Sequence, residues 1–256
     1  MPIIIIFVVA IILMFALVLF VKYQTFKNNV LWHFRKCNVI VAGKKGSGKD
    51  LLFQYVINKR KQFYYSNISY GLKRKIITLK DVSCEPNTYI TMVNNKIVKT
   101  PHRFKDGKDI YISDIGNFLP SYMDSTLYKL FPSMPLLYSL SRHLYNNNIH
   151  CNTQNIERGW KALREQADFY IQVKRTYKLP FFLLIKLVSY DKYESAKQNL
   201  LPIKTRLLNK QSKAQYDLYR AQNGDIRQGY ILVSKRSIKY DTRAFEKILL
   251  KGKRKQ

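Results

Sequence analysis

The chain has 256 residues, enough for one α/β domain with an appendage and a sizeable hydrophobic core. Its formal net charge is +29, from 45 Lys and Arg against 16 Asp and Glu, which favours polyanionic partners such as nucleic acid or an anionic membrane surface. The three cysteines lie far apart without metal-ligand spacing, which disfavours a disulfide framework or a zinc site and indicates reduced thiols in a cytosolic domain.

The first predicted element is an uninterrupted apolar run of 19 residues, Ile3–Val21. As a helix it is about 28 Å long, which matches the hydrocarbon core of a bilayer. A signal peptide and a buried core helix are the alternatives, but no basic segment precedes the run and no small-residue cleavage site follows it. Basic residues begin at Lys22, so the positive-inside rule predicts one span, an outward N-terminus and a cytoplasmic remainder.

A glycine-rich turn follows the short strand predicted at Val39–Ala42 and opens onto a helix predicted to reach about Lys61. This setting is typical of a phosphate-binding loop, because backbone amides and the helix N-terminus face the phosphates and Lys49 reaches the outer ones. Seven of the eight positions of Gly-x-x-x-x-Gly-Lys-[Ser/Thr] match. Asp50 stands where a hydroxyl normally ligates Mg²⁺, so it either binds the ion directly or crowds the phosphates with negative charge. The predicted nucleotide-binding residues are Gly43, Lys44, Lys45, Gly46, Ser47, Gly48, Lys49, Asp50 and Leu51.

An apolar strand that ends in an acid is predicted at Lys108–Asp114, after a strand at Gln62–Ile68 and a β-rich stretch with a hairpin turn at Val93–Lys96. This is the form of a Walker B element, whose carboxylate holds Mg²⁺ beside the phosphates. A surface strand ending in Asp is the alternative, but the position about 65 residues after the phosphate loop favours Asp114 as a metal ligand. Ile115 occupies the place where motor ATPases commonly carry a water-polarising Glu.

A further strand, predicted at Asn148–Gln154, follows a helical or irregular stretch at Leu119–Tyr145 that prolines interrupt. At the end of that strand, Gln154 is placed to hydrogen-bond a γ-phosphate or its attacking water, and a merely polar strand end is the alternative.

The helix predicted at Ile156–Ala167 carries two arginines, Arg158 and Arg164. Either can stabilise phosphoryl charge in a neighbouring subunit, as arginine fingers do, or can simply belong to a basic surface. His143 and His150 have no acidic or cysteine partner at metal-ligand spacing, so both are predicted to be structural.

The last third of the chain contains three predicted strands and a basic end. After a strand at Asp168–Val173, the apolar stretch Leu179–Val188 is too short to span a membrane and is predicted to be a strand that packs on the domain or contacts the membrane interface. Gly224 and Gly229 are predicted to flank a loop before a late strand at Tyr230–Val233. The chain ends in a cationic tail that either solvates the protein or adds non-specific affinity for DNA or membrane.

These elements together predict an α/β P-loop NTPase with a mostly parallel central sheet flanked by helices and one transmembrane helix before it. The predicted divisions are a transmembrane helix at 1–22, a basic connector at 23–36, the ATPase domain at 37–190 and a basic C-terminal extension at 191–256.

The ordered set of motifs resembles the zonula occludens toxin-like family, the assembly ATPases of filamentous phages, within the larger group of FtsK- and HerA-like ATPases. The resemblance covers approximately residues 38–220. Its carriers are Gly43–Lys49, Tyr65–Ile68, Asp109–Asp114, Ser141–His143, Thr153–Asn155, Leu163–Arg164, Asp168 and Tyr216–Tyr219.

The resemblance implies an oligomeric ring at the bacterial host inner membrane, which uses ATP and Mg²⁺ to extrude or assemble virions around single-stranded DNA with other phage assembly proteins. Three features depart from the family: Asp50 replaces a hydroxyl residue, Ile115 replaces a catalytic acid, and the span precedes the ATPase domain. Asp124 and Glu157 are candidates for an acid supplied by a neighbouring subunit.

The leading hypothesis is therefore a membrane-anchored ATPase of phage assembly or DNA export. Asp114, Gln154 and Arg164 are its predicted catalytic residues, and Asp50 and Asp114 are the predicted Mg²⁺ ligands. A nucleotide-binding anchor that recruits DNA or coat protein with little hydrolysis is the second hypothesis, which Ile115 favours. A small-molecule kinase is the third, disfavoured by the span and by the absence of an evident substrate lid.

Overall fold

The fold is taken from a computed structural model of the whole chain. The structure describes residues 2–68, 70, 74–76, 90–93, 96–99, 105–119, 121–123, 125, 126, 129, 138, 141, 142, 146–203 and 210–238. Asp124, His143, Cys84 and the predicted cationic tail lie outside the described residues.

The apolar run at the start of the chain belongs to one long helix, α1, Pro2–Lys36. It is the one helix within the described ranges that is long and apolar enough to cross a membrane, by length and composition alone. Its side chains from residue 6 to residue 22 are exposed, whereas Phe26, Val30 and Phe34 are buried. The segment 23–36, predicted as a connector, is thus the C-terminal part of the same helix and packs on the sheet.

The central feature is an eight-stranded sheet in the order β10-β9-β8-β1-β7-β6-β2-β3. The strands from β8 to β3 in this order are parallel to their neighbours, and β9 and β10 extend the sheet as antiparallel strands. Helices flank the sheet, so the predicted P-loop NTPase fold is confirmed. The strands are β1 Val39–Ala42, β2 Tyr64–Ser66, β3 Arg74–Ile76, β6 Asp109–Ile112, β7 Ile149–Thr153, β8 Phe169–Lys178, β9 Phe182–Tyr190 and β10 Ile226–Ser234.

A separate two-stranded sheet joins β4, Ile90–Val93, to β5, Lys96–Lys99. The strands are antiparallel and Val93 is in register with Lys96, which confirms the predicted hairpin.

Apolar residues cover both faces of the central sheet. On one face lie α1 and α2, Lys49–Arg60, whose buried side chains include Phe34 and Phe53. The other face is covered by short helices, which are α3 Ile115–Phe118, α4 Lys161–Glu165 and α5 Tyr193–Lys197. A further helix, α6 Lys210–Asn223, leads into β10. His150 lies in the α1 face against the rings of Phe34 and Tyr111, and burial holds the pKa of this histidine well below its ordinary value.

Two predictions of local structure are wrong. The helix predicted at Ile156–Ala167 is a 3-10 turn at Ile156–Arg158 followed, after Gly159, by α4. Gly159 packs against Ile115 and Trp160 is fully buried, so tertiary packing breaks the helical pattern. The predicted loop between Gly224 and Gly229 is β-strand from Ile226 onward.

The edge of the sheet reaches beyond the predicted end of the ATPase domain. β10 pairs along its whole length with β9, from Ile226 opposite Tyr190 to Ser234 opposite Phe182. The boundary predicted at residue 190 therefore falls between two strands of one sheet.

Candidate nucleotide-binding site

The phosphate loop connects β1 to α2 at the carboxyl edge of the sheet. Gly48 caps α2 in the left-handed conformation, with φ of 102°. A Cβ at Gly48 would also collide with Thr176 Oγ1, and one at Gly43 would lie 2.7 Å from the carbonyl oxygen of Val173. Glycine is required at both positions, because the backbone turns sharply and β8 approaches it closely.

Thr176 holds the loop from the side of β8. Its hydroxyl donates a 2.6 Å hydrogen bond to the carbonyl oxygen of Ser47. The pairing of β8 with β9 shifts by one residue between Val173 and Arg175, just before this contact. Such an irregularity redirects the side chains that follow it, and here it accompanies a threonine directed at the phosphate loop.

The Lys49 side chain curls back over its own loop. Its ammonium donates to the carbonyl oxygens of Gly43 at 2.9 Å and Lys44 at 3.2 Å, and the residue is buried. Burial lowers the pKa of Lys49, and the nearby carboxylates of Asp50 and Asp114 oppose that shift. These bonds hold the ammonium among the loop carbonyls, next to the backbone groups that would face a phosphate.

Asp50 connects the first turn of α2 to two strand ends. Its Oδ1 accepts hydrogen bonds from Ser113 Oγ at 2.6 Å, Asn152 Nδ2 at 2.7 Å and Tyr70 Oη at 3.0 Å. All three donors share one carboxylate oxygen. The carboxylate therefore serves as a hub between the phosphate loop and the ends of β6 and β7.

Asp114 follows β6 and is held through its backbone. The Asp114 N–H donates to Asn152 Oδ1 at 2.7 Å, and its Oδ2 accepts from Asn117 Nδ2 at 2.6 Å. The residue adopts φ of 51°, a left-handed conformation that Asp tolerates better than most residues. One step earlier in the chain, Asn67 clamps Ser113 by accepting from its N–H and donating to its carbonyl, both at 2.7 Å.

Ile115 is buried in the hydrophobic core. Its side chain is 2% exposed, packs against Gly159 and belongs to the apolar cluster that includes Trp160. An acid at this position would be buried in that apolar cluster. The isoleucine is thus explained by packing.

Gln154 lies beside the phosphate loop, at the end of β7. It is exposed and lines a cleft of about 800 Å³ together with Gly43 and Lys44. Glu157 lines the same cleft, and its carboxylate pairs with Lys197 Nζ at 3.2 Å. Gln154 and the phosphate loop thus share one cleft.

Arg164 lies on α4, outside the residues that line this cleft. Its guanidinium donates to the hydroxyl of Tyr193 and lies 5.7 Å from the centre of the Tyr193 ring. Arg158 is exposed and its Cβ would lie 3.0 Å from a Cβ built on Gly116, two positions after Asp114. The predicted roles of both arginines in a neighbouring subunit stay predictions.

Sequence reasoning missed the hydrogen-bonding residues that join these elements, chiefly Asn67, Ser113, Asn152 and Thr176. Ser113 directly precedes Asp114, and Asn152 directly precedes the Thr153–Asn155 motif. Their position at the ends of predicted strands was the one sequence signal that could have placed them in the site. No sequence pattern pointed to Thr176, which donates to the Ser47 carbonyl, because it resembles any other polar residue of a strand.

The site chemistry suits a nucleoside triphosphate with Mg²⁺. Backbone amides at the start of α2 and the Lys49 ammonium address phosphate oxygens. Carboxylates are the ligands that Mg²⁺ prefers. Asp50 in the first turn of α2 and Asp114 just before α3 supply two of them, so the chemistry of this donor set fits the ion.

Comparison with solved structures gives low-identity neighbours. The chain is similar to the N-terminal domain of zonular occludens toxin from Neisseria meningitidis, with a TM-score of 0.46 and 13% identity over 79% of this chain and 97% of that one. It is also similar to the genome packaging NTPase B204 from Sulfolobus turreted icosahedral virus 2, in complexes with ATP-γS and AMPPCP. The ATP-γS complex has a TM-score of 0.36 and 15% identity over 68% of this chain and 99% of that one. For the AMPPCP complex the TM-score is 0.35, and the similarity covers 68% of this chain and 100% of that one.

No family model matches the chain, and no curated protein matches it in sequence.

Proposed function

We propose that this chain is a membrane-anchored P-loop ATPase that drives the assembly or extrusion of a filamentous phage, or the export of single-stranded DNA. The observation that carries the proposal is the convergence of Lys49, Asp114 and Gln154 at the carboxyl edge of one sheet. Ligands bind at this edge in open α/β folds, because parallel strands bring their loops together there.

Each site residue has a role in this proposal. Lys49 and the loop amides hold the β- and γ-phosphates, and Asp50 and Asp114 hold Mg²⁺, which neutralises phosphate charge when bound. Gln154 orients the attacking water or senses the γ-phosphate. Arg164 acts across a subunit boundary in a ring, after exchanging its Tyr193 contact for a phosphate.

The partners follow from charge and hydropathy. A net charge of +29 supports binding to the DNA backbone without base recognition. The exposed apolar part of α1 supports a single-pass anchor in the host inner membrane, with the ATPase domain in the cytoplasm. Coat protein and other phage assembly proteins are the expected protein partners.

A nucleotide-binding anchor that hydrolyses little remains the second candidate. The observation that favours it is the burial of Ile115, which leaves the position after Asp114 without an acid. Glu157 of the same cleft, or an acid from a neighbouring subunit, is then needed for efficient turnover.

Steady-state ATPase activity of the full chain in lipid nanodiscs, with and without single-stranded DNA, tests the proposal. Lys49→Ala should abolish both nucleotide binding and DNA-stimulated turnover. Lys59→Ala is the matched control, because it removes one exposed lysine from the same helix away from the loop.

Three results distinguish the candidates. Turnover that requires Lys49 supports the motor, whereas Lys49-dependent binding without turnover supports the anchor. Phosphate transfer to a metabolite, combined with negligible DNA binding at physiological salt, would contradict both and support a kinase.

A further inference from the structure

The direction of α1 relative to the strands decides which edge of the sheet faces the membrane. Phe26 lies against Gly229, and three residues nearer the N-terminus the Tyr23 hydroxyl accepts a 3.4 Å hydrogen bond from the Leu232 N–H. Moving toward the apolar end of α1 therefore means moving toward the carboxyl end of β10. The exposed part of α1 leaves the domain beyond this end of the strand.

The strand register places the phosphate loop on the same side. Gly229 is opposite Leu187 in β9, and Leu187 is opposite Val173 in β8. Val173 directly follows Gln172, which pairs with Ala42, the last residue before the phosphate loop. The loop thus lies at the level of Phe26 in α1. The apolar run ends at Val21, only a few residues nearer the N-terminus of the helix. The nucleotide site faces the membrane side of the domain.

The hairpin that joins β8 to β9 extends further in this direction. From the level of Ala42, β8 continues for six residues to Lys178, about 20 Å at the usual rise of a strand. Leu232 is opposite Leu184, and Leu184 is opposite Tyr177, so the hairpin tip lies just beyond the level of Tyr23. This is the level at which the apolar run of α1 ends.

The tip presents apolar side chains to solvent in an ordered turn. We define it as Tyr177–Phe182; within it Phe181 is 73% exposed, and Leu179, Phe182 and Tyr177 are 41%, 40% and 37% exposed. The Leu179 N–H donates to the Phe182 carbonyl at 2.9 Å and closes the turn. Lys235, the first residue after β10, supports the turn through two hydrogen bonds, from its N–H to the Phe181 carbonyl and from Nζ to the Pro180 carbonyl. Exposed aromatic residues on a pre-ordered turn are unusual for a surface in water.

Basic residues surround these apolar side chains. Lys178 lies within the tip, and Lys235 and Arg236 follow β10 directly; all three are exposed. An apolar centre with a cationic rim matches the boundary between acyl chains and anionic headgroups, where aromatic side chains are also favoured.

We propose that the β8–β9 tip docks into the headgroup layer of an anionic bilayer, beside the point where α1 enters it. This inference rests on the membrane anchoring in the proposed function and adds a second contact, which fixes the tilt of the domain. Continuity with α1 and complementary charge argue for lipid as the occupant. With the tip docked, the phosphate loop lies within about 20 Å of the membrane surface.

Depth-dependent fluorescence quenching in the full chain tests this contact. In a background with the three native cysteines replaced by alanine, an environment-sensitive label is placed at Phe181→Cys and the protein is reconstituted in phosphatidylglycerol-containing nanodiscs. Ile12→Cys in the apolar part of α1 is the positive control. Glu194→Cys, exposed just after the other end of β9, is the negative control. Lipids with a quencher near the headgroup should reduce the fluorescence of the label at position 181, and lipids with a quencher near the end of the acyl chain should reduce it at position 12. Neither lipid should reduce it at position 194.

The charged rim gives a second test. Lys178→Glu combined with Arg236→Glu should reduce quenching of the label at position 181 without changing it at position 12. Lys192→Glu, beyond the opposite end of β9, should change neither.

If the alanine background does not fold, the unaltered chain is cross-linked to photoreactive phospholipids. Mass spectrometry should then find lipid adducts in residues 177–182 and none in residues 191–198.

The outcomes separate this inference from the proposed function. Quenching of the label at position 12 with none at position 181 would support the membrane anchor and overturn docking of the tip. Absence of quenching at 12 would overturn the membrane anchor and the docking together. Protection of 181 by a second copy of the chain, without access to lipid quenchers, would also overturn the inference.

Discussion

Asp50 has a structural role that its position in the motif did not suggest. Its Oδ1 receives hydrogen bonds from Ser113, Asn152 and Tyr70, which belong to segments 20 to 102 positions away along the chain. Three donors offset the negative charge on that oxygen. A serine or threonine at this position has a shorter side chain with one hydroxyl oxygen and would not replace all three of these hydrogen bonds.

Replacing Asp50 should therefore cost stability, independently of the metal binding proposed for this residue. Asp50→Ala should lower the free energy of unfolding by roughly 2–4 kcal/mol, because three partly buried donors lose their acceptor, whereas Asp50→Asn should cost about 1 kcal/mol. Asp114→Asn is the control and should change the value by less than about 1 kcal/mol, since its side chain accepts one exposed bond. Thermal unfolding in mild detergent measures the difference. Equal stability of Asp50→Ala and the parent chain would contradict the structural role of the Asp50 carboxylate.

Thr176 should act on nucleotide affinity through the position of the phosphate loop. Thr176→Val keeps the shape of the side chain and removes its 2.6 Å bond to Ser47, so the Kd for ATP should rise roughly 3- to 10-fold. Thr176→Ser keeps the hydroxyl and should bind like the parent chain. Equilibrium binding of a fluorescent ATP analogue is the measurement, and equal affinity of the valine and serine variants would exclude the role.

At the scale of elements, the packing of α1 on β10 joins the apolar helix to the sheet. Phe26, Val30 and Phe34 belong to the same buried cluster as β1 and α2. Gly229 lies under the Phe26 ring, where a Cβ would overlap its atoms. A glycine inside a strand is usually a weakness, but here it permits the close approach of a helix.

Gly229→Ala should destabilise the domain by roughly 1–3 kcal/mol, because its Cβ has no space beneath Phe26. Phe26→Ala alone should cost roughly 2–4 kcal/mol through loss of burial. In the double variant the added methyl enters the vacated space, so the total cost should be smaller than the sum. Melting temperatures of the four proteins in detergent test this coupling, and strict additivity would argue against the contact.

At the scale of the whole molecule, the excess of basic residues predicts the mode of the DNA binding proposed above. Affinity for single-stranded DNA should fall linearly on a log–log plot against salt, with a slope of about −0.7 per phosphate contacted. Homopolymers of thymine and cytosine should bind within a few-fold of each other, because backbone contacts carry no sequence information. Fluorescence anisotropy across a salt series measures both, with Lys49→Ala as a control that alters the nucleotide site alone. A slope near zero, or strong base preference, would contradict this mode of binding.

Much of the fold follows from local patterns. The strand, glycine turn and helix at residues 39–60 are consecutive in sequence, so their hydrophobic pattern and turn chemistry are sufficient to predict them. The broken helix after Ile156 was not predictable in this way, because the buried positions of Trp160 and Ile115 come from contacts between distant segments. The strand at Gly229 was missed for the same reason.

Sequence alone determined the phosphate loop, the acid after β6, the apolar run and the basic charge, since each is a property of neighbouring residues or of composition. Tertiary structure decided what these parts do together. Only packing places β7 between β1 and β6, which brings Asn152 to Asp50 and Asp114. The contacts of Phe26 with Gly229 and of Tyr23 with Leu232 set the direction of α1 along β10. This direction puts the apolar run on the side of the sheet that carries the candidate nucleotide site and the hairpin tip. These relations depend on side chains far apart in the chain, whose meeting no local pattern encodes.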